Sequence, residues 1–189
     1  MTKKLLLAAA LLLPVLAHAE IGQGTIELQG SSTAGFSRDT VKVSGEPNVT
    51  TTSFGFNVGG LYYLTHLVGV GAEIQVARAT TDVGAGDVTL THLAFVPKLG
   101  IDFPLTQSAS VFGEALAGIE HVKGESGTSS GSTSAFVWGI GGGVKLFPMA
   151  ALSVDLGLRL RSARTNDTPK ETDTSLSFMV GLSGYFGTH

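Results

Sequence analysis

The sequence contains no cysteine, which excludes a disulfide scaffold, cysteine-ligated zinc and thiol catalysis together. Charge is scarce as well: 14% of the 189 residues are Asp, Glu, Lys or Arg, against about 25% in an ordinary soluble domain. The net charge is −3 and no block of like charge occurs, so a nucleic-acid-binding surface has no basis. Beyond residue 19 no apolar run approaches the roughly 20 residues that a membrane-spanning helix needs. Glycine, by contrast, is abundant: 26 residues, about twice the usual share, without collagen's strict spacing. A hydrophobic content of 43% is too high for a disordered chain, and the length fits one domain.

The first nineteen residues have the form of an export signal. Lys3 and Lys4 make a basic head, residues 5–16 are apolar except for Pro14, and Ala17-His18-Ala19 offers the small residues that a signal peptidase cuts behind. The apolar run is too short to span a bilayer. The expected mature chain is therefore 20–189, carrying 10 basic and 15 acidic side chains once Lys3 and Lys4 are removed.

The remainder repeats one pattern: about a dozen residues alternating apolar with small or polar, then a break. Within residues 152–161, Leu152, Val154, Leu156, Leu158 and Leu160 fall on one face, opposed by Ser153, Asp155, Gly157, Arg159 and Arg161. Period two is the signature of a strand with one apolar face. The same alternation marks residues 25–30, 54–64, 68–78, 93–101, 111–120, 136–146 and 176–186, giving eight strands. Pro97 lies inside one of them and costs a ladder hydrogen bond or marks a bulge. Residues 65–67, 102–107 and 148–150 read as tight turns. Residues 36–52, 80–87, 123–134 and 162–173 read as longer loops rich in Gly, Ser, Thr, Asp and Asn. Short turns at one end and long loops at the other predict an eight-stranded antiparallel up-and-down transmembrane β-barrel, all-β in class.

The competing all-β reading is a lipocalin-like barrel with its apolar face inside. The polar faces decide against it. They carry Glu27, Glu73, Glu114, Glu120 and Asp155 against Lys98, Lys145, Arg159 and Arg161, too few charges and too many glycines for a soluble outer surface. In a narrow barrel interior, small residues make room for long ones, and enclosed charges must pair. Glu73, Lys98, Glu114, Glu120, Lys145, Asp155, Arg159 and Arg161 are thus the expected lumen charge network, with Glu114 and Glu120 as candidate partners of Arg159. Leu156 is expected to face lipid near mid-membrane. Phe54 and Phe136 at the loop end, with Tyr62 and Phe186 at the turn end, would form two aromatic girdles.

Taken with the closing segment Leu182-Ser183-Gly184-Tyr185-Phe186, these features resemble the small outer-membrane β-barrel domain proteins of Gram-negative bacteria, the OmpA-like or porin-like group. The resemblance covers the whole chain after the leader. It implies an outer-membrane location among lipid and lipopolysaccharide, and a C-terminal strand read by the barrel-assembly machinery. It implies no cofactor and does not identify what the surface loops bind.

Catalysis has little footing in the sequence. Some barrels of this size resemble lipid A-modifying enzymes, which need a Ser, a His and an acid near the outer rim. His66 falls in a turn and His189 at the terminus. His92 falls on a polar face near a loop, and His121 on the apolar phase, with Glu120 and Glu125 close in sequence. No His/Asp/Glu spacing points to a metal. Gly141-Gly142-Gly143 lies within a strand, outside the strand–turn–helix setting of a phosphate loop, and reads as room for bulky lumen neighbours. The expected role is non-enzymatic: a plugged barrel presenting surface loops, with a narrow porin-like channel or a lipid A-modifying enzyme as alternatives.

Overall fold

The computed structural model describes residues 21–37, 51–82, 87–126, 129–165 and 172–187. Each alternating segment is a strand: β1 (Ile26–Ser37), β2 (Thr51–Tyr63), β3 (Val68–Asp82), β4 (Asp87–Thr106), β5 (Ala109–Ser126), β6 (Ser129–Met149), β7 (Leu152–Thr165) and β8 (Thr172–Phe186). They close into one antiparallel barrel in chain order, with β8 pairing back onto β1. Tracing partners from Glu27 through Leu61, Gly71, Lys98, Leu116, Gly139 and Arg161 arrives at Ser175, ten residues short of Tyr185, which is Glu27's direct partner. This offset is the stagger of a closed barrel, whose strands tilt at about 40°.

The strands run further than the alternation indicated. β4 continues to Thr106, so most of the expected turn at 102–107 is strand, including Asp102. Asp82 pairs with Asp87 and Ser126 with Ser129, so half of the expected loop at 80–87 and most of the one at 123–134 is strand. Composition misled here because Ser, Thr and Gly are turn residues by habit, yet a ladder satisfies their backbone groups equally well. The expected loop at 36–52 lies largely outside the described residues, as do the leader and its cleavage site. β7 reaches Thr165 and β8 starts at Thr172, shortening the one expected at 162–173.

Local chemistry explains the joints. In the β2–β3 turn the Thr65 hydroxyl accepts from Leu67 N and Val68 N, at 3.1 and 3.0 Å. Gly24, at φ +88°, turns the chain into β1, and its N–H bonds Tyr63 O at 2.8 Å. Pro97 removes a donor without producing a bulge. The β4–β5 register passes from Phe95↔Ile119 to Lys98↔Leu116 with the same offset and two rungs missing between.

The faces sort as in a membrane barrel and opposite to a lipocalin. Large apolar side chains are exposed outward, among them Phe54, Ile119, Leu158 and Leu182. Phe54 and Phe136 sit toward the loop end and Tyr62 and Phe186 toward the turn end, all four exposed. Leu156 is half-buried on the outward phase, between Val144 and Val180 on the flanking strands. The interior holds the charged residues, and it is less uniformly polar than the alternation implied. Ala94, Val96, Leu116 and Val137 form an apolar cluster inside, and Tyr63, Phe112, Phe147 and Met179 are buried with them. Larger apolar groups fill lumen space that charges alone would leave open.

Candidate functional site: three tiers of charge in the lumen

The inward charges gather into three tiers stacked along the barrel axis. The middle tier is a closed ring of alternating sign. Arg159 on β7 forks onto Glu73 of β3, with Nη1–Oε1 2.6 Å and Nη2–Oε2 3.1 Å, while its Nε donates to Glu114 Oε1 of β5 at 2.6 Å. Lys98 of β4 closes the ring, with Nζ 3.2 Å from Glu73 Oε2 and 2.8 Å from Glu114 Oε2. It also donates to Gln29 of β1. Two cations face two carboxylates, all buried, so each charge in this low-dielectric space has partners of opposite sign. Gly141 makes the ring possible: a Cβ there would meet Glu114 Oε1 at 2.7 Å. At Gly143 the crowding neighbour is instead backbone, Leu156 O at 2.0 Å.

The turn-side tier centres on Lys145 of β6. Its Nζ donates to Glu27 Oε1 and Oε2 at 3.0 and 2.8 Å and to Asp102 Oδ2 at 2.9 Å. The Tyr63 hydroxyl lies between the same two carboxylates, 2.7 Å from Glu27 Oε2 and in short contact with Asp102. The rings of Phe112 and Tyr185 flank the ammonium, each centroid 5.5 Å from Nζ. Beside this tier Asp155, fully buried, accepts from Ser153 at 2.6 Å, Ser183 at 2.5 Å and Gln29 at 3.3 Å. It is held by neutral donors rather than by a cation. Between the turn-side and middle tiers lies a cavity of about 10 Å³, lined by Glu27, Lys98, Glu114 and Lys145 among others. That is the scale of one water molecule.

The loop-side tier is smaller and wetter. Arg161 Nη2 is 2.5 Å from Glu120 Oε1, and His92 Nδ1 is 2.9 Å from the same oxygen. Glu120 is buried, whereas the Arg161 and His92 side chains are 17% and 23% exposed.

All eight residues expected in the network face the lumen, but their grouping differs from the expectation in two ways. Arg159 takes Glu114 and Glu73; Glu120 lies a tier higher and takes Arg161 and His92. The reason is register: Gly141 on β6 is directly opposite both Glu114 and Arg159, which sets that level. The alternation placed Glu27 and Gln29 inside but gave them no partner, and reasoning from sequence missed Tyr63 and Asp102. Tyr63 shares the parity of Gly55, Asn57 and Gly59, and Asp102 that of Lys98 and Gly100. Extending those two strands by parity would have found both.

Outside the barrel, His121 is exposed on the lipid-facing phase, and its Nδ1 is 3.3 Å from Ser134 Oγ across the β5–β6 register. Among the described residues no carboxylate is hydrogen-bonded to it, and no group of His, Asp or Glu could hold a metal ion.

The sequence pattern of the family described as outer membrane protein beta-barrel domain matches residues 5–186. No curated protein matches the chain. Among solved structures it is similar to Neisserial surface protein A, at 13% identity and TM-score 0.66, covering 86% of this chain and 99% of that one. It is also similar to the attachment invasion locus protein Ail of Yersinia pestis, at 17% identity and TM-score 0.56, covering 87% and 99%. The outer membrane protein OprG of Pseudomonas aeruginosa matches at 12% identity and TM-score 0.55, covering 92% and 100%. At such identities the likeness is one of fold.

Proposed function

The chain belongs to the outer membrane protein beta-barrel domain family, which places it in the outer membrane; from that premise we propose that it is a non-enzymatic anchor whose plugged lumen holds surface loops in place. The observation that carries this reading is the middle ring, Arg159–Glu73–Lys98–Glu114, buried across the full width of the lumen. Eight strands enclose little more than their own side chains, and here those side chains are locked in ion pairs with apolar groups packed between the tiers. On this reading the chain is exported by its leader, cut after Ala19 and assembled through the strand that ends in Tyr185-Phe186. It then sits among lipid and lipopolysaccharide with the long connections outside the cell.

Planar-bilayer recording of the purified protein tests the plug. No steady conductance is expected, and reproducible channels of uniform size would overturn the reading in favour of a narrow pore. The contact between His121 and Ser134 is the one observation on the side of a lipid A-modifying enzyme. A triad needs a carboxylate to orient its imidazole, and the hydrogen bonds of the described residues give His121 none. Deacylated lipid A in cells that overproduce the protein would reverse that judgement.

A further inference from the structure

The turn-side end of the lumen is short of positive charge. Among the described residues it holds three buried carboxylates, Glu27, Asp102 and Asp155, and one ammonium, Lys145. The middle ring balances two against two, and Glu120 in the loop-side tier has Arg161. Asp102 takes Lys145 and the Tyr63 hydroxyl through Oδ2. That leaves Oδ1 with one described donor, the Ser110 hydroxyl at 3.2 Å. A carboxylate oxygen accepts two hydrogen bonds, so Oδ1 has room for another.

Asp102 and Ser110 line a pocket of about 320 Å³ at the turn-side mouth of the barrel, between Pro104 and Phe147, with His66 of the β2–β3 turn at its edge. The segment that leads into β1 supplies another wall, through Ile21 and Gly22. That segment is pinned in place. Gly22 N donates to Thr25 Oγ1 at 3.1 Å, and Thr25 N donates to Gly22 O at 3.2 Å. Gly24 N donates to Tyr63 O at 2.8 Å, and Tyr63 N donates to Thr25 O at 2.9 Å. The tyrosine whose hydroxyl reaches Asp102 therefore also fixes where the chain enters β1.

We propose that cleavage behind Ala19 delivers a cation to this pocket: the α-ammonium of Glu20 donates to Asp102 Oδ1 and to the Ser110 hydroxyl oxygen. Before cleavage that nitrogen is a neutral amide. Afterwards it is an amine, protonated at neutral pH, and it cuts the turn-side excess from two negative charges to one. Connectivity selects this occupant. Glu20 is bonded to Ile21, which already walls the pocket, and one residue of chain spans about 3.5 Å. A tethered group also docks at high effective concentration, which a free cation must match from solution. Glu27 and Asp155 do not line the pocket, so Lys145 remains the cation of Glu27. The proposal rests on the cleavage reading above, because the amine exists only once the leader is gone.

The test is amine labelling with acetic anhydride, at neutral pH, of the barrel purified from outer membranes into detergent. Peptide mass spectrometry separates the α-amine from the lysines, and exposed Lys123 is the internal standard. The parent is compared with Asp102→Asn and with a variant carrying Gly-Gly between Ala19 and Glu20. The insertion moves the ammonium away by about 7 Å of chain and leaves every lumen side chain unchanged. Circular dichroism confirms that each protein is folded. Relative to Lys123, the parent's α-amine should label about tenfold more slowly than that of either variant. Equal labelling of parent and insertion variant would overturn the docking and leave the cleavage reading intact. Slow labelling that persists in Asp102→Asn would overturn the carboxylate's part in it. A chain that N-terminal sequencing shows to begin elsewhere than Glu20 would instead overturn the cleavage reading itself.

Discussion

The turn-side and loop-side tiers use the same chemistry in different surroundings. Both bring a cation and a neutral-or-cationic ring side chain to buried carboxylates. At the turn side, Lys145, Glu27 and Asp102 have side chains exposed by 3% or less. At the loop side Glu120 is as deeply buried, but its partners Arg161 and His92 reach water. The two tiers have similar ion-pair distances and different exposure, so they should differ several-fold in energy. In the dry tier, removing one partner strands charges that nothing else satisfies. In the wet tier, solvent and a second partner stand in.

Lys145→Met should have the largest effect. It leaves Glu27 and Asp102 facing each other across Tyr63 without a cation, a loss of roughly 3–5 kcal/mol, read by urea unfolding in lipid or detergent. A loss below about 1 kcal/mol would erase the distinction between the tiers. Next comes the same charge on the other side of the wall. Leu156→Arg puts a cation on the outward face near mid-membrane and should cost roughly 2–4 kcal/mol. If it proved neutral, the apolar face would not be the lipid face.

Much of this contrast was legible in the sequence, because parity alone separates inward Asp155, Arg159 and Arg161 from outward Leu156, Leu158 and Leu160. Strand number, closure and the inward facing of most lumen charges follow from it. Two physical facts were not legible. Strand ends in a hairpin are set by pairing rather than by composition, so Asp102 was hidden in what reads as a turn. The level at which two inward residues meet depends on the stagger between strands, so the partner of Arg159 could be narrowed to a face but not to a tier. The inward apolar cluster of Val96, Leu116 and Val137 lies beyond the reach of parity for a related reason. Alternation marks a residue as inward without saying whether its neighbours there are polar.

Smaller effects are expected toward the loops. Arg161→Leu should cost about 1 kcal/mol or less, since Glu120 keeps His92 and access to water. A loss equal to that of Lys145→Met would show the upper lumen to be as dry as the lower. Beyond the membrane, the pair of Lys123 and Glu125 is the limiting case, fully open to solvent. Its mutual hydrogen bond and charge hold the Glu125 carboxyl below its ordinary range and the Lys123 ammonium above its own. Any stability from Glu125 is therefore present above the ordinary carboxylate range and lost as acid titrates it. Lys123→Ala should leave the unfolding midpoint unchanged within error, and a clear shift would mean that this pair is enclosed.

Double-mutant cycles on the two tiers, run in one lipid and one denaturant, measure whether burial sets what each ion pair contributes. One cycle combines Lys145→Met with Glu27→Gln, the other Arg161→Leu with Glu120→Gln. The expected coupling energy is roughly 3 kcal/mol at the turn side and about 1 kcal/mol or less at the loop side. Equal couplings at the two ends would contradict it, because burial would then have no part in what the lumen charges contribute.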